Sequence, residues 1–203
     1  MIKNENTIKI ELQKLFIKTK EYQEEHTLGA HPFEYYFLLT KYVEKYRLKN
    51  GLEVGTALGL TALSSVIGND NFKLDTIEKH LSSIDIAKEN IKSFDTDNNT
   101  DYFSRINFIN GRMFDVLDTF HADNNPEKEI TKEKYDYIFL DAYVSRLNEV
   151  KRLEKYLEVG GIFIVSNIRG EMKKSHAAKQ YLFDTEKFEL LELAGDTIFV
   201  RSK

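Results

Sequence analysis

The fold is decided by residues 52–63, LEVGTALGLTAL, where an acidic residue and two glycines interrupt two apolar runs. Residues 52–54 are typical of the end of a buried strand, residues 55–59 of a turn without bulky side chains, and residues 60–66 of the start of a helix. The turn therefore precedes a helix N-terminus, where unpaired N–H groups and the helix dipole attract an anionic group. Glu53 adds a carboxylate, which favours a ligand that also carries positive charge.

The glycine spacing limits the kinds of site that this turn can form. A dinucleotide fingerprint requires G-x-G-x-x-G, whereas residues 55–59 are GTALG and lack the middle glycine that approaches a pyrophosphate. A P-loop is excluded because no Gly-Lys-Ser/Thr follows. The remaining pattern, E-x-G-x-x-x-G, resembles the first motif of Rossmann-like S-adenosylmethionine-dependent methyltransferases. The alternative is a strand-to-helix turn that binds no ligand.

Composition indicates a single globular domain. Of 203 residues, 41% are hydrophobic and 31% are charged, which is typical of a chain that buries a core. The net charge of −4 provides no general basic field for nucleic acid, and the absence of cysteine excludes disulfides, thiolate zinc sites and a cysteine nucleophile. Neither a secretory signal nor an apolar run of membrane-spanning length is evident, so we expect a cytoplasmic protein that does not engage a membrane.

Strands and helices alternate after an all-helical start. We expect residues 1–48 to form helices that cover the site and residues 49–203 to form an α/β core, the two together making one domain. Five strand-like runs, mostly followed by helical patterns, end at Val54, Ile77, Ile109, Leu140 and Val165. This alternation predicts parallel strands with crossover helices, and residues 188–201 around a Gly-Asp turn predict an antiparallel hairpin. The expected fold is doubly wound, with a mostly parallel seven-stranded sheet, an antiparallel C-terminal hairpin and N-terminal helices.

Polar or small residues follow the predicted parallel strands, and a ligand on an open parallel sheet lies at those carboxyl ends. Glu78 follows the second strand, where a carboxylate can accept both hydroxyls of a ribose. Gly111, Arg112 and Met113 follow the third, where the glycine permits a close turn and the side chains can lie against an adenine. Each group is also explained by an ordinary solvated turn, but their joint occurrence in strand order favours a binding site.

The ends of the fourth and fifth strands carry the candidate catalytic groups. Asp141 directly follows the largely apolar run YDYIFL at residues 135–140, and an acidic group there is costly unless it is paired or exposed in a cleft. Ser166 and Asn167 follow the fifth strand. We therefore expect Asp141 and Asn167 to face the crevice at the top of the sheet.

Five segments resemble successive motifs of the catechol and caffeoyl-CoA type O-methyltransferases, over about residues 27–203: LEVGTALGLTAL, DTIEKH, FINGRMFDVL, YDYIFLDA and YLEVGGIFIVSNI. The resemblance implies S-adenosylmethionine as the cofactor. By this likeness Glu53, Gly55, Ala57 and Thr61 would surround its methionine part, Glu78 its ribose, residues 111–113 its adenine, and Asp141 the region near its sulfonium. The same cofactor-binding turns include Thr56, Gly59 and Lys79.

Two departures from that family concern the mechanism. The family holds a divalent cation with the aspartate after the fourth strand and an Asp-Asn pair after the fifth, but Ser166 stands here in place of the middle carboxylate. Because Mg²⁺ prefers anionic oxygen ligands, this change weakens the site. The family's lysine base is replaced by Val144, which cannot remove a proton. We therefore assign no metal ligands, and a requirement for Mg²⁺ is left open.

Three histidines are candidate replacement bases, because neutral imidazole can accept a proton near pH 7. They are His31 on the predicted lid loop 27–32, His80 beside Glu78, and His176, and each is also explained as a surface histidine. His176 lies where the resembling enzymes place acceptor contacts, so it joins Asp141 and Asn167 as a predicted catalytic residue.

The predicted function is methyl transfer from S-adenosylmethionine to a small molecule, at oxygen. One alternative is a protein that binds the cofactor without methyl transfer, because Ser166 and Val144 depart from the family pattern. Another is an RNA-modifying methyltransferase with tRNA as partner, motivated by a short basic segment consisting of Arg169, Lys173, Lys174 and Lys179. Aromatic residues in the N-terminal helices further suggest a homodimer.

Overall fold

The computed structural model describes residues 9–10, 12–14, 16–17, 19, 33–120, 130–141, 147–168, 173–184 and 186–203. Of Phe120, Lys173 and Lys174 it describes only the backbone. The predicted lid loop 27–32 with His31, and also Val144 and Arg169, lie outside the described residues.

The described part of the chain alternates between helices and strands. The described residues between 9 and 19 are helical. The elements that follow are, in order, α1 (Phe33–Tyr46), β1 (Asn50–Val54), α2 (Leu60–Ile67), β2 (Lys73–Glu78), α3 (Leu81–Asn98), a 3₁₀ turn (Phe103–Arg105), β3 (Ile106–Asn110), α4 (Met113–Phe120), β4 (Tyr135–Leu140), α5 (Leu147–Glu154), β5 (Leu157–Val165), α6 (Lys173–Asp184), β6 (Phe188–Ala194) and β7 (Thr197–Ser202).

The seven strands form one sheet in the order β3-β2-β1-β4-β5-β7-β6. Strands β1 to β5 are parallel, whereas β7 runs antiparallel to both β5 and β6. The chain starts at the centre with β1, moves outward to β3 and returns to β4 on the other side of β1, so the order reverses between β1 and β4. This arrangement confirms the predicted doubly wound, mostly parallel seven-stranded sheet with its C-terminal hairpin, and it predicts a crevice at the β1–β4 switch point.

The two faces of the sheet bury two separate cores because side chains alternate along each strand. Tyr137 and Phe139 of β4 face the core that contains α1, α2 and α3, whereas Ile138 and Leu140 face the core that contains α4, α5 and α6. In α1 the residues Tyr36, Leu39 and Val43 lie on one helical face and are buried in the first core. Every residue of α2 is also buried. Helix α2 therefore holds the turn before it rigidly against the sheet.

A buried carboxylate joins β2 to its neighbours. Asp75 is 2% exposed and accepts hydrogen bonds from Asn107 Nδ2 (3.0 Å), Thr131 N (2.7 Å), Thr131 Oγ1 (2.9 Å) and the Tyr135 hydroxyl. These donors come from β3, from the segment before β4 and from β4 itself. Because a buried carboxylate is costly unless its oxygens are satisfied, this network ties the start of β4 to β2 across the intervening strand β1.

Each helix within the described residues is too short or too polar to cross a lipid bilayer.

Replacing Tyr135 by Phe tests the Asp75 network. The variant loses one donor to a buried carboxylate, and we expect the free energy of unfolding to fall by about 1–3 kcal/mol. Chemical denaturation followed by circular dichroism measures this change. Tyr46→Phe, at a half-buried ring of α1, serves as control and should change stability by less than about 0.5 kcal/mol. Equal effects of the two substitutions would contradict the assigned role of Asp75.

Candidate functional site

The turn between β1 and α2 has the backbone geometry that its glycines permit. Gly55 and Gly59 have φ angles of +102° and +84°, and Ala57 between them has φ +45°. A Cβ atom on Gly55 would lie 2.3 Å from the carbonyl oxygen of Asp141, so a side chain at this position would displace the end of β4. The Gly55 N–H also donates to the Ile77 carbonyl at 2.9 Å. The turn is therefore held against the ends of both neighbouring strands.

Glu53 places a buried carboxylate at the carboxyl end of β1. The residue is 1% exposed, and its Oε2 accepts a hydrogen bond of 2.5 Å from the hydroxyl of Thr76 on β2. The Thr76 hydroxyl also bonds to the hydroxyl of Thr56 at 2.6 Å. Within the described residues, Glu53 Oε1 has no hydrogen-bond partner. One oxygen is thus anchored, and the other is a buried acceptor that a donor or cation would satisfy.

The charge environment of Glu53 is acidic. Burial raises the pKa of Glu53 to about 7, while hydroxyls of Thr61 and Thr76 lower it and the nearby carboxylates of Asp141 and Glu78 raise it further. Among the described residues, the main groups that shift the pKa of Glu53 include no lysine or arginine. The crevice therefore favours a ligand that brings positive charge.

Glu78 occupies the carboxyl end of β2 in a fixed orientation. Its Oε2 accepts from Ala57 N at 3.2 Å and its Oε1 from His80 N at 3.0 Å. Its carbonyl oxygen accepts from Gly111 N and from Asn110 Nδ2, both at 3.0 Å. Glu78 thereby links the turns that follow β1, β2 and β3, and its predicted role at a ribose stays a prediction.

The residues predicted to lie near an adenine differ in exposure. Met113 is 8% exposed and packs in the second core with Ile77 and Ile109, whereas Arg112 and Lys79 are exposed. Gly111 is half-buried. The adenine role of these residues stays a prediction.

Asp141 and Asn167 meet at the ends of β4 and β5. Asn167 Nδ2 donates to Asp141 Oδ1 at 2.7 Å, and Asn167 has a φ angle of +57°, in the left-handed region. The backbone N–H of Asp141 donates to the carbonyl of Val54 at 2.9 Å, which places the carboxylate beside the end of β1. The predicted pair of catalytic side chains is therefore brought together by the fold, although its catalytic role stays a prediction.

Ser166 points in the opposite direction, into the protein interior. It is fully buried, and Thr197 Oγ1 of β7 donates to its hydroxyl oxygen at 3.3 Å. Among the described residues there is no group of three or more His, Cys, Asp or Glu side chains that could hold a metal ion. Of the residues that follow β4 and β5, those that the structure describes do not supply the ligand set of a divalent cation.

The structure does not bring the side chain of His80 or of His176 into this group. His176 lies on the exposed side of α6, between the buried residues Ser175 and Ala178, and within the described residues it makes no hydrogen bond with Glu53, Glu78 or Asp141. His80 is exposed directly before α3 and contacts Glu78 through its backbone N–H alone. The catalytic role of His176 stays a prediction.

Two residues of the site were missed in the sequence. Thr76 lies two positions before Glu78, and strand alternation places both side chains on one face of the sheet, so this pattern could have revealed it. Tyr35 is buried near Ser166 and Thr197. Its burial, and to a smaller extent the negative charge of Asp141, raise the pKa of its phenol well above the ordinary value. No local pattern distinguishes Tyr35 from the other aromatic residues of α1.

Solved methyltransferase structures have the same fold. The O-methyltransferase from Bacillus cereus, solved with S-adenosylhomocysteine, is 19% identical, with 95% of this chain and 90% of that chain covered and a TM-score of 0.69. TomG from Streptomyces achromogenes, an O-methyltransferase of tomaymycin synthesis solved with S-adenosylmethionine, is 16% identical over 95% and 88% of the two chains, with a TM-score of 0.71. An S-adenosylhomocysteine-bound methyltransferase from Podospora anserina is 17% identical over 95% and 88%, with a TM-score of 0.72.

The family is identified by sequence as well. A family model described as O-methyltransferase matches residues 3–188. The chain belongs to the O-methyltransferase family. This membership confirms the predicted resemblance and the predicted class of enzyme.

Gly55→Ala tests the contact between the turn and the end of β4. The new Cβ would meet the Asp141 carbonyl and also occupy a left-handed backbone, so we expect the free energy of unfolding to fall by about 2–5 kcal/mol. Gly195→Ala is the matched control, because Gly195 also has a positive φ (+62°) but a Cβ there meets nothing within 4 Å. That control should cost about 1–2 kcal/mol, from the backbone alone. Similar losses in thermal and urea unfolding would refute the close contact.

Glu53→Gln tests the burial of the carboxylate in the ligand-free protein. The pKa of Glu53 is raised from its ordinary value of 4.5 to about 7 in the folded protein. The folded protein therefore binds the carboxyl proton more tightly than the unfolded chain does. The stabilisation is complete below about pH 4.5 and is lost as the pH rises through 7, up to about 3 kcal/mol. Urea unfolding should show the variant gaining that amount relative to wild type between pH 5 and 8. Exposed Glu89→Gln should follow wild type at every pH, and a Glu53→Gln curve parallel to wild type would contradict the assignment.

Proposed function

We propose that the protein transfers the methyl group of S-adenosylmethionine to a hydroxyl oxygen of a small molecule. Membership of the O-methyltransferase family supports the reaction class. The observation that carries the assignment is the meeting of three carboxylates, Glu53, Glu78 and Asp141, at the ends of β1, β2 and β4 around the glycine turn. Solved structures of the same fold contain S-adenosylmethionine or S-adenosylhomocysteine, which agrees with this cofactor.

The charges of the cofactor match the groups in the crevice. S-adenosylmethionine carries a positive sulfonium, a positive ammonium, one carboxylate and a ribose with two hydroxyls. The orphan Oε1 of Glu53 is a buried acceptor suited to the ammonium, and Glu78 has the orientation to accept from ribose hydroxyls. The turn at residues 55–59 and the N-terminus of α2 suit the carboxylate of the methionine part. Each acidic group thus has a proposed donor or cationic partner in one ligand.

In the proposed reaction the chain mainly positions the reactants. The bound cofactor supplies a methyl group that its positive sulfur has already activated. The chain would hold the acceptor oxygen, after its hydroxyl proton has passed to water, next to the methyl group and exclude further water. The oxygen–carbon bond would then form as the sulfur–carbon bond breaks. We assign Asp141 to the sulfonium end of the cofactor. We assign Asn167 to holding the Asp141 carboxylate in place through the 2.7 Å hydrogen bond between the two side chains.

Other parts of the proposal concern partners and location. We propose a small-molecule acceptor that enters beside Asp141 and Asn167, with His176 of α6 as a further candidate catalytic residue. A cytoplasmic location and a homodimer are proposed from the sequence alone.

The two alternative functions receive no specific support from the described residues. Lys179, part of the basic segment that suggested RNA binding, has its ammonium 5.7 Å from the centre of the Phe183 ring, a contact that a solvated helix face explains. The O-methyltransferase family also favours methyl transfer over binding alone.

Glu78→Gln tests cofactor binding. Gln keeps the size of the side chain but replaces one charged acceptor, and we expect the Kd for S-adenosylmethionine to rise about 10–100-fold, as for the loss of a charged hydrogen bond. Isothermal titration calorimetry with S-adenosylmethionine and S-adenosylhomocysteine measures this. Glu89→Gln, on the exposed side of the following helix α3, is the control and should leave both affinities unchanged. A wild-type protein that binds neither compound would refute the proposed function.

A further inference from the structure

We infer that this enzyme performs methyl transfer without a divalent cation at the ends of β4 and β5, and that its acceptor is a hydroxyl able to ionise without a metal. The inference rests on the proposed function. It concerns the one place where the resembling family holds a cation, and the structure provides three independent observations there.

The first observation is the pairing of Asp141 with an amide. A magnesium site uses hard oxygen ligands, usually including carboxylates, in octahedral geometry. Here the Asn167 side chain presents its N–H, and not its carbonyl oxygen, to Asp141 Oδ1 at 2.7 Å. The amide of Asn167 thus partly offsets the negative charge of Asp141, a role that a bound cation has in the resembling family.

The second observation is the direction of Ser166. Its side chain is fully buried and receives the hydroxyl of Thr197, which is itself 1% exposed. The Tyr35 phenol lies close to both residues, and the Tyr35 ring packs against Phe139 and Phe199. The position that would supply a second anionic ligand instead completes a neutral cluster of buried hydroxyls.

The third observation is how these residues are held. The backbone N–H of Ser166 donates to the Leu140 carbonyl at 2.9 Å, and that of Ile168 donates to the Asp196 carbonyl at 2.9 Å. These bonds tie residues 166–168 to β4 on one side and to the turn of the C-terminal hairpin on the other. With Asn167 in the left-handed region between them, the opposite directions of Ser166 and Asn167 are set by the backbone.

This arrangement constrains the acceptor. A bound cation would draw two neighbouring oxygens of a substrate together and make a hydroxyl easier to ionise. The described residues after β4 and β5 supply neither effect, so the acceptor hydroxyl must be acidic by its own chemistry, as in a phenol or an enol. One hydroxyl is then sufficient for binding and transfer.

The test measures binding of Mn²⁺ to the full chain saturated with S-adenosylmethionine, by electron paramagnetic resonance after removal of metals with a chelator. For wild type we expect a Mn²⁺ Kd weaker than about 1 mM and an S-adenosylmethionine Kd that changes less than about 2-fold between 5 mM Mg²⁺ and EDTA. Because the Ser166 side chain points away from Asp141, the carboxylate introduced by Ser166→Asp should change the Mn²⁺ Kd by less than about 2-fold, and a gain of about 10-fold or more would contradict the second observation. Ser202→Asp, at the far end of β7 from Thr197, is the matched control and should bind Mn²⁺ as wild type does.

Wild-type binding of Mn²⁺ with a Kd below about 100 μM that Asp141→Asn weakens would overturn the inference. The wild-type measurement decides the question even where Ser166→Asp fails to fold, as judged by circular dichroism. Mn²⁺ binding is also measured with the unliganded chain. A failure to bind S-adenosylmethionine would therefore refute the proposed function alone, while the Mn²⁺ result for the unliganded chain would still test the absence of a cation site.

Discussion

The close approach of Gly55 to the backbone carbonyl of Asp141 is the constraint on which the rest of the site depends. It occurs where the strand order reverses, so it sets how near the end of β1 comes to the end of β4. Glu53 lies two residues before this contact, and Asp141 forms it. Only glycine permits both the positive φ angle and the absent side chain that this contact needs. Helix α2 is buried along its whole length, so the turn cannot relax outward.

The contact gathers negative charge in a place where water is largely excluded. Glu53 is almost fully buried, and its pKa is raised first by burial and also by the carboxylates of Asp141 and Glu78. Such an arrangement disfavours the empty, fully ionised site and favours a ligand with positive charge. The hydroxyls of Thr61 and Thr76 offset only part of this cost. The affinity proposed for a sulfonium compound and the destabilisation of the ligand-free protein with rising pH therefore have one cause.

At the end of β5 the chain keeps the fold of the family but differs in a side chain that concerns the chemistry. The structural neighbours share the fold, and the family gives the class of reaction. At Ser166 the chain has a neutral side chain that belongs to a buried hydroxyl cluster with Thr197 and Tyr35. Methyl transfer can tolerate this change. Transfer of an activated methyl group depends more on aligning the acceptor with that group and on excluding water than on strong acid–base groups. Function thus resides in a small set of side chains on a shared fold.

The sequence by itself determined the alternation of strands and helices, and with it the strand ends at Glu53, Glu78 and Asp141, because hydrophobic period and glycine position are local properties of the chain. Only the tertiary structure decided which way Ser166 points and that Tyr35, far away in the chain, reaches it. It also decided that His176 faces outward on α6, since the rotation of a helix is set by the surface on which it packs. Such contacts join residues distant in sequence, and they depend on the packing of whole elements, which no local pattern encodes.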